Sequence, residues 1–167
     1  IKFKKGIEGN CHLQHLTLRQ AEESGVEGES CFTMEDVLVE QSGDCGVYVE
    51  GIGVVGRCTN VEVRKCAASG VYACDGASIT FIGAKTTVHD NCTQNNSYYY
   101  GLMVDGSPTT IQLVSPLTKE HVAIDNGGAG NWGTQMGGDI NQIKTTTEAE
   151  TIEVSFFLSF SVVPLPF

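Results

Sequence analysis

Between Val37 and Ser78 one short pattern is written twice. The first copy reads Val37-Leu-Val-Glu-Gln-Ser-Gly-Asp-Cys-Gly46-Val-Tyr-Val-Glu-Gly51, the second Val61-Glu-Val-Arg-Lys-Cys-Ala-Ala-Ser-Gly70-Val-Tyr-Ala-Cys-Asp-Gly76. In both, an alternating trio is followed seven residues later by Gly-Val-Tyr, then by an acidic residue and another glycine. An earlier copy runs from Leu16 to Val26, and a stretched one joins Thr86–Val88 to Gly101–Gly106. A repeat of this kind must bury its apolar face against the next copy, so it constrains the fold before any single residue does. The marker glycines are spaced by 21, 24 and 31 residues, too few for two helices per unit. Alternation with period two, β-branched residues and glycine turns predict short strands stacking in parallel, about 4.8 Å apart.

The pattern, Val-x-Val-x-x-Cys/Ser-x-x-Ser/Cys-Gly-Val-Tyr-Val/Ala, covers residues 11 to about 125. It resembles the repeats of right-handed parallel β-helix proteins, the fold of pectate lyases, polygalacturonases and phage tailspikes. The resemblance implies an all-β, single-stranded right-handed parallel β-helix (a solenoid) of about 5–6 coils. It implies no activity, because the repeat encodes core and turns. The expected organisation is a β-helix domain over residues 1–151, followed by a hydrophobic strand or extension over 152–167. Past Gly106, strands are expected at Thr110–Val114 and His121–Asp125, with a turn or one helical turn between them. The run Asn126–Gly138 is so rich in glycine that 126–151 is expected to be irregular, with Trp132 folding over the open end.

Composition narrows the partners. A net charge of −10 with only 18% charged residues disfavours nucleic acid, and it also disfavours polyanionic polyuronates. The stretch from Ile152 is apolar but too short to cross a bilayer as a helix, so no membrane span is expected; oligomerisation through it remains open. The chain starts Ile1-Lys-Phe-Lys-Lys, which reads as a piece of a longer product and leaves the compartment unassigned.

In a stacked coil, chemistry is sought down columns. The outward slot after each trio reads Arg19, Glu40, Arg64, His89, and the slot within it reads Thr17, Leu38, Glu62, Thr87. The simplest reading is a ladder of ion pairs between coils. By resemblance, this fold's polysaccharide enzymes place their cleft on outward residues of one sheet, lyases with carboxylate-bound calcium and a basic residue, polygalacturonases with clustered aspartates. Glu40, Glu62, Arg64 and His89 are therefore candidate ligand contacts, although no aspartate cluster or calcium cage is written there. Glu50, Asp75 and Asp105 precede glycines and are turn signals first; calcium is the one cofactor that such an acidic set admits, and their register slips by one at Asp75.

The stretched copy gains its length in Asn91–Tyr100, which must bulge as a loop. Tyr98, Tyr99 and Tyr100 are the leading ligand candidates, since an aromatic face with a polar tip suits a sugar ring at a wet site. Asn91-Cys-Thr and Asn95-Asn-Ser are glycosylation acceptors in a secreted protein. The seven cysteines contain no C-x-x-C pair, so buried free thiols are expected, with Cys11 and Cys31 the only adjacent-coil pair to consider. On a regular strand His12 and His15 would face opposite ways, which argues against a metal pair. No Gly-x-Ser-x-Gly supports a serine nucleophile.

Three functions remain: a non-catalytic module binding glycan or protein, or serving as a scaffold; a polysaccharide lyase, epimerase or hydrolase; and a virion or surface fibre component. The absence of an acid cluster favours the first.

Overall fold

The computed structural model describes residues 1–7 and 11–147, and nearly all of its regular structure is strand. In chain order these are β1 (Lys2–Phe3) and β2 (Cys11–Arg19); β3 (Val26–Gly28) and β4 (Phe32–Glu40); β5 (Val47–Glu50), β6 (Val55–Thr59) and β7 (Glu62–Arg64). There follow β8 (Val71–Cys74), β9 (Ser78–Ile82) and β10 (Thr87–His89); β11 (Tyr100–Asp105), β12 (Thr110–Val114) and β13 (Ala123–Ile124); β14 (Gly130–Gln135) and β15 (Ile143–Thr146). The strands form two sheets. One has six strands in the order β1-β3-β5-β8-β11-β14; the other has nine, β13-β10-β7-β4-β6-β9-β12-β15 with β2 paired to β4. The pairing of these strands is parallel at every step, so the protein is all-β, with two parallel sheets where the sequence led to the expectation of one single-stranded helix.

The alternating residues set the core. Leu18, Val39, Val63, Val88 and Ala123 are successive register partners across the larger sheet, and the last four are fully buried. Val26, Val47, Val71, Leu102 and Trp132 do the same across the smaller sheet. Two more inward columns are Phe32–Gly56–Ile79–Ile111–Ile143 and Met34–Cys58–Phe81–Leu113. Each fully buried large apolar side chain contributes about 1.5–3 kcal/mol before its ordering entropy is subtracted. Glycine fits beside Phe32 because a Cβ on Gly56 would stand 2.7 Å from the ring tip.

Corners are equally repetitive. After each trio one residue takes a positive φ: Gln20 (56°), Gln41 (57°), Lys65 (55°), Asp90 (54°) and Asp125 (52°). The backbone then turns toward the glycine that marks each repeat. A Cβ on Gly46 would meet the Gly70 carbonyl oxygen at 2.6 Å, and one on Gly70 would meet that of Gly101 at 2.9 Å, which is why this slot is glycine in every copy. Asparagine secures the later corners. Asn91 Nδ2 donates to the Val63 carbonyl (3.0 Å) and to Asn126 Oδ1 (3.0 Å), while its Oδ1 accepts from the Cys66 amide (3.1 Å).

Several expectations need correction. Part of the stretch 126–151 is regular: β14 pairs with β11 over Tyr100↔Gly130 to Asp105↔Gln135, and β15 pairs with β12, while 126–129 and 136–139 remain loop and turn and 148–151 lie outside the described residues. The pairing partner supplies the order that local propensity lacks, and Gly133 is required because a Cβ there would run into the Tyr100 ring. The strand expected over His121–Asp125 begins late, because Lys119–Val122 forms a single helical turn, α1. Trp132 lies within β14, half-buried against the core, with Lys119 Nζ 5.5 Å from its ring centroid. His12 and His15 do not face opposite ways: a positive φ of 51° at His15 breaks the alternation, and both are exposed. The segment 152–167 lies outside the described residues. Among those described, no helix is long and apolar enough to cross a membrane.

Candidate functional site

Three outward surfaces hold the chemically interesting side chains. The first is the column beside the trios, where register brings Arg19, Glu40, Arg64 and His89 side by side. Arg19 Nε donates to Glu40 Oε1 at 2.5 Å, and Arg64 reaches Glu40 Oε2 at 2.9 Å. Arg64 Nη1 also donates to Glu62 Oε1 at 2.8 Å, and His89 Nε2 lies 3.2 Å from the same oxygen. His89 Nδ1 is 2.9 Å from Asp90 Oδ2. The carboxylates are thus spent on neighbouring cations, and the Glu40 side chain is only 6% exposed. The Arg64 guanidinium, aided by Arg19, holds the Glu40 carboxyl below the ordinary value of 4.5 against the opposing effect of burial. Among the described residues of this column, Glu40, Glu62 and Asp90 each lie against a basic side chain.

Because the folded Glu40 carboxyl binds its proton more weakly than the unfolded one, the ladder stabilises the fold above the ordinary carboxylate range. That stabilisation disappears as pH falls through the depressed folded value. Stability measured by urea denaturation from pH 7 downward is therefore expected to fall below pH 4.5. The Glu40→Gln variant should be less stable at pH 7 and show a shallower acid limb. Parallel acid limbs in the two proteins would contradict the role given to Glu40.

The second surface is the inserted loop. Tyr98 is 65% exposed, whereas Tyr99 and Tyr100 are half-buried. Burial raises the Tyr99 phenol above its ordinary value, and Tyr100 lies over Gly133. The three rings therefore do not form one platform; Tyr98 alone is presented. The loop is braced by Asn95 N to the Cys92 carbonyl (2.9 Å), Tyr99 N to the Asn96 carbonyl (3.2 Å), and Gln135 Nε2 donating to the Tyr98 carbonyl. Asn91 is 1% exposed with its amide fully engaged, so of the two acceptor sequences only Asn95 is accessible in the folded chain.

The third surface lies outside the six-stranded sheet. Tyr48 and Tyr72 are register partners packed edge to face, with centroids 5.4 Å apart. Tyr48 donates to Glu50 Oε2 (2.7 Å) and accepts from the Cys74 thiol (3.3 Å), while Tyr72 donates to Asp105 Oδ2 (2.9 Å). Burial, and then the hydrogen bonds to Cys74 and Glu50, raise the Tyr48 phenol; burial and Asp105 raise that of Tyr72. Glu50 pairs with Cys74, so the slip at Asp75 is a turn residue (φ 52°) just past the column. Glu50 and Asp75 also line a cleft of about 340 Å³ with Lys5, Glu29, Ile52 and Val54. The repeated Gly-Val-Tyr was the available signal for this surface: tyrosines at the same slot of two paired parallel strands lie side by side.

The cysteines are all free; five are buried, Cys11 is half-buried and Cys31 is exposed. No family model matches this chain, and no curated protein or solved structure matches it.

Proposed function

We propose that the chain is a non-catalytic module of the right-handed parallel β-helix kind, pectate-lyase-like in architecture, that binds a neutral glycan through the loop carrying Tyr98. Parallel pairing between successive repeats supports a solenoid. The right-handed sense follows from the repeat resemblance and from the handedness of parallel crossovers. The observation that carries the binding reading is the exposed ring of Tyr98, flanked by exposed Gln94, Asn95, Asn96 and Ser97. An apolar ring face with amides around it offers stacking to a pyranose and hydrogen bonds to its hydroxyls. The net charge of −10 favours a neutral polymer over a polyuronate. Saturation of Glu40 and Glu62 by arginine and histidine argues against a lyase or hydrolase on the ladder face.

The test is retention on a panel of neutral and acidic polysaccharides, with chain length monitored. Retention on a neutral polymer without shortening is expected, and Tyr98→Ala should weaken it about tenfold or more while leaving the β-type circular dichroism intact. Shortening of any polymer would replace this reading with an enzyme. Undiminished retention by Tyr98→Ala would remove the loop from it.

A further inference from the structure

We propose that the outer face of the six-stranded sheet holds a site for a thiophilic divalent cation of the zinc class, with Cys74 Sγ and the carboxylates of Glu50 and Asp75 as ligands. The site is independent of the glycan reading. Donor atoms of these three residues all lie within 4.8 Å of one another. Their placement follows from the repeat. Glu50 and Cys74 occupy the same slot in adjacent coils, and the left-handed turn at Asp75–Gly76 (φ 52° and 81°) brings the next carboxylate to the same spot. Cys74 forms the floor at 6% exposure, Glu50 the half-buried wall and Asp75 the open rim.

A second observation is independent of that cluster. The Val104↔Ala73 pair places Asp105 beside Cys74 in the next coil, only 8% exposed. Its Oδ2 is tied to the Tyr72 hydroxyl, which holds the carboxylate on this outer face. Its Oδ1 is the one buried side-chain oxygen or nitrogen, among the described residues, without a hydrogen-bond partner. A buried carboxylate oxygen without a donor is expensive, and the Asp105 carboxylate is close enough to the Cys74 thiol to act on it electrostatically. Lys2 is committed to Glu27 and Glu29, and Lys5 shares the cleft without an ion pair to Glu50 or Asp75. A metal cation supplies the charge that the protein does not.

The sulfur decides the class of ion. Calcium takes oxygen ligands, whereas thiolate with carboxylate suits zinc, cadmium or cobalt. Bonds of about 2.3 Å to sulfur and 2.0–2.2 Å to oxygen draw the three atoms slightly together, which the exposed Asp75 accommodates by rotating. Three protein ligands leave the fourth tetrahedral position to water, on the side open to the cleft. Binding converts the Cys74 thiol to thiolate and releases its proton to solvent. Burial and the surrounding carboxylates push that thiol up to about 11, so the ion competes with a well-held proton. The Tyr48 hydroxyl donates to Glu50 and is a positioning residue that orients this ligand; the bond that it accepts from the Cys74 thiol is given up when the thiol loses its proton.

The experiment is titration of the chelator-treated full chain with cobalt(II), followed by displacement with zinc(II). One equivalent of cobalt is expected to produce a sulfur-to-metal charge-transfer band that zinc abolishes. Cys74→Ser should eliminate the band, and Glu50→Gln or Asp75→Asn should weaken binding by at least about tenfold. Tyr48→Phe should weaken it by about 10–100-fold with the band retained, and Cys31→Ser, at the exposed thiol, should change nothing. No band in the parent protein, a band surviving Cys74→Ser, or one lost in Cys31→Ser would overturn the site. If Cys74→Ser does not fold by circular dichroism, the Glu50→Gln/Asp75→Asn double variant decides, and full affinity there overturns the proposal.

Discussion

Phe81→Ala is expected to destabilise the protein by about 3–5 kcal/mol, the range for removing a fully buried aromatic ring. Phe81 has no exposed surface and is among the largest completely enclosed side chains. Its register partners are Cys58 in one neighbouring strand and Leu113 in the other, so the cavity opens between three strands and cannot be filled from one side. In a stacked repeat, stability is close to a sum over neighbouring interfaces, and this substitution damages two of them. Denaturant unfolding with an unchanged slope should report the loss, together with a melting midpoint lower by about 10 °C or more. Phe81→Leu, which keeps most of the volume, should recover more than half. A loss below about 1 kcal/mol for the alanine variant would mean that the ring does not sit in the enclosed column assigned to it.

Asn91→Ala should cost about 2–4 kcal/mol although it removes few atoms. The side chain is 1% exposed and serves both the repeat before it and the segment after it. Without it, the buried Cys66 amide loses its acceptor, the Val63 carbonyl loses a donor, and Asn126 Oδ1 loses one of its two donors from residue 91. An orphaned buried donor carries a desolvation penalty of about 1–3 kcal/mol, and the corner is too enclosed for bulk solvent to replace the lost partner. Asn91→Asp separates this from packing: it retains shape and the acceptor for Cys66 but turns an acceptor toward Val63 and Asn126. It should be no better than alanine by urea denaturation. An aspartate variant as stable as the parent would exclude the donor role.

Much of the strand layout was legible because it is written as period two. The trios Val37–Val39 and Val61–Val63 give the inward slots directly, and the outward sequence Arg19, Glu40, Arg64, His89 emerges once copies are aligned. What a single sequence hides is order imposed by a neighbour. Gly130–Gln135 has poor strand propensity, yet it is a strand because β11 offers it a full set of backbone partners. The same neighbour relation withdraws Tyr100 from solvent, since its ring finds a seat over Gly133. Left-handed residues are the other blind spot. A positive φ at His15 or Asp75 changes which way the next side chains face, and neither residue type advertises that conformation as glycine does. That is why the cluster at Glu50, Cys74 and Asp75 reads in the sequence as a misaligned acidic column.

The half-exposed inward residues of β2, Leu13, Leu16 and Leu18, contrast with Val39, Val63 and Val88, which have a strand on either side and are completely covered. At the other end β14 is half-buried along most of its length. Such a gradient gives the folded chain a sequence of opening: amide hydrogens should exchange first in β2, β14 and β15, and last in β5, β8 and β9, whose release requires dismantling the stack. Local unfolding would then begin in these half-covered strands and reach the covered ones last, leaving the tyrosine pair of β5 and β8 among the last contacts to part.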